Sequence, residues 1–280
     1  MKLLVTGAGG MLGRAVVDAA HRLGHDVRAA TRADLDITDA DALRRTLAAS
    51  RPGAVVNCAA YTDVDGAEAE RLAAFAINGK GAGNVAAAAA EIGATIVHVS
   101  TDYVFDGAKR EPWLESDAVA PLGAYGASKL AGERAVAAAN PAHAIVRTAW
   151  LFGAGGKNFV DTMLALGAER EEVSVVTDQV GCPTWTGHLA AALVELAERP
   201  GETGIHHIAG AGSCSWNELA IEVLHRAAID CRVLPTTTAA FPRPAPRPAY
   251  SVLGTERRDP LLLAPWQDGV AAYVQTRVTA

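Results

Sequence analysis

The chain has few cysteines, no cluster of basic residues and no long apolar segment. Each of these shortages excludes a class of protein. Its four cysteines, Cys58, Cys182, Cys214 and Cys231, lie far apart and form no C-x-x-C pair. This spacing favours reduced structural thiols over disulfides or zinc ligands. The sequence therefore predicts a protein of the cytoplasm with no metal site.

Charge and hydropathy exclude two further kinds of partner. The 280 residues include 25 lysines and arginines against 31 acidic residues, a formal net charge of -6, and no basic run could follow a phosphate backbone. No segment has the length and apolar character of a membrane span or a signal peptide. We expect a globular protein that binds neither nucleic acid nor a membrane. A homodimer stays open because two-fold dimers are the commonest oligomers.

The first 13 residues predict a dinucleotide site. An apolar run too short for a helix meets a glycine cluster, and an alanine-rich helical pattern follows. Gly7, Gly10 and Gly13 would allow a tight turn, a close backbone approach to a pyrophosphate and close packing of helix on strand. The N-terminus of that helix would offer free N–H groups to the phosphates. The alternative is a plain turn between strand and helix.

The end of the second predicted strand, residues 26–30, indicates the cofactor. An acidic residue here would bind the ribose 2′-OH of NAD, whereas an arginine suits the 2′-phosphate of NADP. Arg32 occupies this position and favours NADPH. NADH stays open because Asp34 or Asp36 could turn towards the ribose, and Arg32 could be an ordinary surface residue. Asp36 could also bind the adenine amino group or help to cap the next helix.

Strand and helix patterns alternate through the first half of the chain. Residues 54–60 form a buried-type strand that ends on Ala59 and Ala60, where backbone can approach a ligand, and residues 94–99 form the next strand. A single long helix is expected over residues 74–92. The fold class is therefore α/β, a Rossmann-like doubly wound parallel sheet with its ligand crevice at the carboxyl ends of the strands.

Beyond residue 150 the elements are shorter and alternate less regularly. We expect an NAD(P)-binding Rossmann domain over residues 1–150, with segments that return from the second half, and a smaller, interleaved substrate-binding subdomain mainly over 151–280. The proline-rich segment 241–248 can be neither helix nor central strand. It is either a stiff loop or a substrate-facing loop in which Arg243 or Arg247 meets a diphosphate.

Three residues indicate redox chemistry at a carbon–oxygen bond. Tyr125 and Lys129 are four residues apart and share one face of a predicted helix, and Thr101 lies at the end of the preceding strand. A lysine ammonium and a nicotinamide cation would favour the phenolate of Tyr125. Thr101 could donate a hydrogen bond to the substrate oxygen. The arrangement predicts acid catalysis by Tyr125, although a Y-x-x-x-K pair also arises by chance on exposed helices.

Seven segments together resemble one known family, the extended short-chain dehydrogenases/reductases, and within it the dTDP-4-dehydrorhamnose reductases. The resemblance covers nearly the whole chain. The segments are residues 5–13, 57–65, 100–107, 125–129, 147–153, 178–184 and 247–253. Two positions depart from the pattern, since Met11 stands where relatives often have Gln and Gly254 where an acidic residue is frequent.

The resemblance implies roles for particular residues. Tyr125 would be the proton donor. Lys129 would be its electrostatic partner and would also bind the nicotinamide ribose. Thr101 would be the hydrogen-bonding group that adjusts the acidity of Tyr125. Thr101, Asp102 and Trp150 would contact the deoxysugar nucleotide. The cofactor would be lined by Gly10, Met11, Leu12, Asp36, Ile37, Ala60, Tyr61 and Thr62.

The implied activity is NAD(P)H-dependent reduction of the C4 carbonyl of dTDP-4-dehydro-L-rhamnose to dTDP-L-rhamnose. A sugar-nucleotide dehydratase would need a glutamate where Tyr103 stands. Two alternatives stay open. One is a related dTDP-deoxysugar ketoreductase of an antibiotic pathway, similar to dihydrostreptose synthase, and the other is a non-catalytic NADP-binding regulatory subunit.

Overall fold

A computed structural model describes residues 1–199 and 201–278. Its strands, in chain order, are β1 (Lys2–Thr6), β2 (Asp26–Ala30), β3 (Ala54–Asn57), β4 (Thr95–Thr101), β5 (His143–Thr148), β6 (Leu151–Phe152), β7 (Glu172–Val176), β8 (Val180–Gly181), β9 (Thr184–Trp185), β10 (Gly204–His207), β11 (Cys214–Ser215) and β12 (Arg232–Thr236). Its α-helices are α1 (Met11–Arg22), α2 (Ala40–Ser50), α3 (Gly66–Ala69), α4 (Arg71–Phe75), α5 (Ala82–Glu91), α6 (Ala124–Ala139), α7 (Phe159–Glu169), α8 (Thr186–Ala197), α9 (Trp216–Arg226) and α10 (Trp266–Val278). None of the described helices is long and apolar enough to cross a bilayer.

Six parallel strands of the described chain form the central sheet, in the order β10-β5-β4-β3-β1-β2. Alternate residues of β1 pack on opposite faces, as the period of two requires. Leu3 and Val5 join a core with Leu12 of α1 and residues of α8, whereas Leu4 joins one with Leu43 of α2 and residues of α5. Helices therefore cover both faces, and the predicted doubly wound α/β fold is confirmed.

Segments beyond residue 150 complete this sheet. Strand β10 pairs in parallel with β5, and α8 packs beside α1 on one face. The remaining elements of the second half form a separate layer, in which β7 pairs with β12 and α7, α9 and α10 share a third hydrophobic core. After β5 the chain therefore contributes α7 and β7 to the smaller layer before α8 and β10 return to the Rossmann sheet.

The helix expected over residues 74–92 is present, but it is not regular. It runs without a break from α4 through a π-helical segment, Ala76–Gly81, into α5. The wide turn places the side chain of Asn78 so that its Oδ1 accepts from the Tyr61 N–H at 2.7 Å and its Nδ2 donates to the Tyr61 carbonyl at 3.0 Å. The same Nδ2 donates to the Ser128 hydroxyl at 2.9 Å. These tertiary bonds tie the loop after β3 to α6, and they replace the regular helix.

Candidate active site

One cavity of about 750 Å³ opens at the carboxyl ends of β1 to β5, the edge at which parallel α/β sheets bind ligands. Residues from both halves of the chain line it. The predicted site residues among them are Gly7, Gly10, Met11, Leu12, Arg32, Asp36, Ile37, Ala59, Ala60, Thr62, Thr101, Asp102, Tyr125, Lys129 and Trp150.

The glycine turn after β1 forms one end of the cavity. Gly7 has a φ of 68°, and a Cβ there would lie 2.6 Å from the amide nitrogen of Ala59. A Cβ on Gly13 would lie 2.2 Å from the carbonyl oxygen of Gly7. No side chain caps the N-terminus of α1, and its first turn has no acidic residue. The turn therefore leaves room and N–H donors for an anionic group such as a pyrophosphate.

Arg32 lies at the rim of the same end, with 81% of its side chain exposed. Its Nε is 3.8 Å from Oδ2 of Asp36. Both neighbouring carboxylates already accept bonds from the backbone and side chain of a threonine: Asp34 from Thr31, and Asp36 from Thr38. These bonds lower the pKa of both aspartates and hold them as anions in local turns.

Tyr125, Lys129 and Thr101 meet at the centre of the cavity. Helix α6 carries Tyr125 and Lys129 one turn apart, and β4 ends at Thr101. Lys129 is 2% exposed, and its ammonium donates to the carbonyl of Val99 at 2.6 Å. The Thr101 hydroxyl donates to Oδ1 of Asp102 at 3.0 Å and accepts from the Tyr103 N–H at 3.2 Å.

Burial is the largest influence on the pKa values of Tyr125 and Lys129. It raises the pKa of Tyr125 to about 12, although a hydrogen bond with Thr101 opposes the shift. Burial also lowers the pKa of Lys129 to about 8, against the attraction of Glu133. Stabilisation of the Tyr125 phenolate by Lys129 and a nicotinamide cation stays a prediction. Tyr125 is a neutral phenol at physiological pH, which is the form that can donate a proton.

Asp102 and Tyr103 complete this part of the cavity. Burial raises the pKa of Asp102 to about 6, although hydrogen bonds from Ser251 and Thr101 oppose the shift. The rings of Tyr103 and Tyr125 meet edge to face, with centroids 5.6 Å apart. Tyr103 therefore places an aromatic ring beside Tyr125, the proposed acid. A dehydratase would need a glutamate in place of Tyr103.

Tyr61 is not among the residues that line the cavity, whereas its neighbours Ala60 and Thr62 are. Its backbone is held by Asn78, and its hydroxyl donates to Oε2 of Glu70 at 3.1 Å. A contact between Tyr61 and the cofactor therefore stays a prediction.

The proline-rich segment 241–248 is tied to the loop after β3. Arg247 donates to both carboxylate oxygens of Asp65, at 2.6 and 2.9 Å, and Arg243 lies 3.6 Å from the same carboxylate. Neither arginine lines the cavity in the structure. Arg247 also forms a hydrogen bond with Tyr103, which does line the cavity. A contact between one of these arginines and a diphosphate therefore stays a prediction.

Sequence reasoning missed lining residues that come from the second half of the chain. Gly155, Gly156 and Lys157 lie beside the glycine turn, and Trp216 of α9 stacks on Trp150. Only the resemblance pointed to Trp150, and no local pattern pointed to Trp216. Within residues 1–199 and 201–278, no group of His, Cys, Asp and Glu side chains could hold a metal ion.

A doubly wound parallel sheet with a glycine turn after β1 and a Tyr–Lys pair beside Thr101 defines the class of short-chain dehydrogenases/reductases. Comparison with known families gives the finer assignment. The model described as the RmlD substrate binding domain matches residues 1–278, and the chain belongs to that family.

Individual relatives agree with this assignment. The chain is 45% identical to a dTDP-4-dehydrorhamnose reductase of Mycolicibacterium smegmatis, over 98% of this chain and 86% of the relative. It is 47% identical to a probable dTDP-4,6-dihydroxy-2-methyloxan-3-one 4-ketoreductase of Streptomyces antibioticus, over 96% and 92%. A crystal structure of dTDP-4-dehydrorhamnose reductase from Bacillus anthracis in complex with NADP superposes with a TM-score of 0.95 at 39% identity, covering 98% of this chain and 99% of that one.

Proposed function

We propose that this chain is an NADPH-dependent reductase that converts the C4 carbonyl of dTDP-4-dehydro-L-rhamnose to the alcohol of dTDP-L-rhamnose. The observation that carries the proposal is the meeting of Tyr125, Lys129 and Thr101 in a cavity that also contains the glycine turn. Such a cavity can hold a dinucleotide and a carbonyl substrate side by side. We place the reaction in the cytoplasm, in keeping with cysteines that are all unpaired.

The glycine turn fits a dinucleotide because added Cβ atoms would fill it and no side chain caps α1. NADPH, when bound, supplies the hydride for the carbonyl carbon. Tyr125 donates its phenolic proton to the carbonyl oxygen as negative charge develops there. Thr101 donates a hydrogen bond to the same oxygen once its hydroxyl turns from Asp102. Lys129 supplies positive charge beside the phenolate that remains and binds the ribose of the cofactor.

The direct assay is oxidation of NADPH, followed by absorbance, in the presence of dTDP-4-dehydro-β-L-rhamnose. Dependence of the oxidation on the sugar nucleotide is the expected result. Absence of such oxidation, with a folded protein that binds NADPH, would remove the proposal and leave two alternatives, a reductase of another dTDP-deoxysugar and a regulatory subunit.

A related dTDP-deoxysugar ketoreductase is the second candidate. The similarity to the Streptomyces antibioticus protein named as a probable 4-ketoreductase favours it. Both candidates use the same acid and cofactor, so they differ in the sugar that the smaller layer admits. Identification of the product by NMR, with each 4-keto sugar supplied separately, distinguishes them. A homodimer stays a prediction, based on the general frequency of two-fold symmetry.

Replacement of Arg32 by alanine is expected to remove the preference for NADPH. In the wild type we expect NADPH to be favoured over NADH by about tenfold in kcat/KM, or about 1.4 kcal/mol, because a guanidinium at the rim can pair with the 2′-phosphate. The pair would be exposed, so the preference should fall at high salt. The measurement is steady-state kinetics with both cofactors.

Arg28→Ala is the matched control for this experiment. Arg28 is an exposed arginine of β2, the strand that ends two residues before Arg32, but it does not line the cavity. Its replacement should leave the cofactor ratio unchanged. Equal kcat/KM with both cofactors in the wild type would mean that Arg32 does not bind the 2′-phosphate of NADPH. An unchanged NADPH-to-NADH ratio in Arg32→Ala would mean the same.

A further inference from the structure

Two stacked tryptophans form one side of the cavity. Trp150 follows β5 of the Rossmann sheet, and Trp216 is the first residue of α9 in the smaller layer. Their rings lie 3.6 Å apart between centroids, with planes 4° from parallel. Both line the cavity, so this aromatic pair joins the two halves of the chain at the candidate active site.

The backbone of Trp150 is in the left-handed region, with a φ of 47°. Large side chains rarely adopt this conformation, and it persists only where the surroundings enforce it. Gly181 of β8 is one such surrounding residue. A Cβ on Gly181 would lie 2.5 Å from Cε2 and 2.6 Å from Nε1 of the Trp150 indole. The indole therefore lies directly against the backbone of β8.

Trp216 is itself held by the segment that contains Gly181. Its indole N–H donates to Oε1 of Gln179 at 3.1 Å, and Nε2 of Gln179 donates to the Thr238 hydroxyl at 2.9 Å. Thr238 in turn donates to Asp178 at 2.8 Å. The orientation of the Gln179 amide is thus fixed at both ends, and residues 178–181 hold both tryptophans in place.

We propose that Trp216, oriented by Gln179, is a positioning residue that holds Trp150 against the pyranose ring of the bound sugar nucleotide. The location of Trp150 supports this, because Thr148, two residues before it, pairs with Thr101 in the neighbouring strand. Trp216 stacks on one face of the Trp150 indole and the Gly181 backbone lies against the ring, so the indole presents its edge to the cavity. This rigid apolar edge can pack on the C–H groups of a sugar ring. The inference rests on the proposed function and deepens it, since it assigns a role to residues 178–181 in binding the sugar rather than the cofactor.

Replacement of Trp216 by alanine should raise the KM for the dTDP-4-keto sugar about tenfold, in the range that loss of one aromatic contact produces. The fall in kcat should be smaller, and the Kd for NADPH should stay within about twofold, because the glycine turn lies at the other end of the cavity. Trp216→Phe keeps a ring for stacking and should recover most of the loss. Gly181→Ala displaces Trp150 without touching Trp216, and it should produce the same rise in KM.

Trp185→Ala is the matched control. Trp185 packs on the same hydrophobic core as Trp216, but it does not line the cavity. Its loss should lower the melting temperature and leave the KM for the sugar unchanged. The inference is overturned if the KM values of Trp216→Ala and Gly181→Ala stay within twofold of the wild type, or if Trp185→Ala raises KM equally. If Trp216→Ala does not fold, the KM values of Gly181→Ala and Trp216→Phe for the sugar nucleotide test the inference instead. A wild type without turnover would overturn the proposed function, and this inference with it.

Discussion

Replacement of Tyr125 by phenylalanine should lower kcat by about a hundred- to ten-thousand-fold, the usual contribution of a positioned general acid. The phenol is neutral, because burial raises the pKa of Tyr125 to about 12, and it meets Thr101 and Lys129 in the cavity. Phenylalanine removes the proton but keeps the ring that packs edge to face on Tyr103. The Kd for NADPH and the melting temperature should therefore remain close to those of the wild type. Steady-state kinetics and a fluorescence titration with NADPH measure both quantities.

Tyr61→Phe is the matched control for the loss of a phenolic hydroxyl. The Tyr61 hydroxyl donates to Glu70, and the residue does not line the cavity. Its replacement should change kcat by less than about twofold, in line with the small effects of most surface substitutions. Full turnover in Tyr125→Phe would mean that another group donates the proton. A loss of equal size in Tyr61→Phe would show that Tyr61 acts in the cavity after all.

Replacement of Gly13 by alanine should destabilise the protein and raise the Kd for NADPH at least tenfold. The new Cβ would lie 2.2 Å from the Gly7 carbonyl oxygen and 2.9 Å from Cα of Ala8. Both atoms belong to the backbone of the glycine turn, so α1 must move away from it. Such overpacking costs about 1–3 kcal/mol, which lowers the melting temperature by several degrees in a chain of this size. Thermal unfolding and NADPH titration are the measurements.

Gly9→Ala separates the effect of this contact from the effect of a methyl group alone. A Cβ on Gly9 would meet its nearest neighbour, Cγ2 of Thr31, at 3.6 Å, which is an ordinary van der Waals distance. Its melting temperature should therefore match that of the wild type. Gly13→Ala with wild-type stability and NADPH affinity would contradict the close packing of α1 on the turn.

The sequence predicted those elements that depend only on residues close together in the chain. The strand β2 lies at residues 26–30 as expected, and α6 carries Tyr125 and Lys129 on one face. In both cases neighbouring residues supply the reason, namely the period at which side chains repeat along a strand or a helix.

Features that depend on distant partners could not be predicted. The π-helical turn at residues 76–81 exists because Asn78 bonds Tyr61 and Ser128. Trp216 reaches the cavity because α9 packs in the smaller layer and Gln179 orients its ring. The pKa of Tyr125 likewise depends on its burial in the folded chain, which raises it to about 12. No repeat or short motif carries this information.

The most direct test of the proposed reaction is the fate of a label carried by the cofactor. NADPH with deuterium at both hydrogens of the nicotinamide C4 is incubated with the protein and dTDP-4-dehydro-β-L-rhamnose, and the product is analysed by NMR and mass spectrometry. We expect one deuterium per product molecule, bound to C4 of the sugar in dTDP-L-rhamnose, and formation of this product at least about a hundredfold more slowly with Tyr125→Phe. Deuterium at another ring carbon, or sugar nucleotide recovered unreduced beside folded wild-type protein, would contradict the proposed reaction.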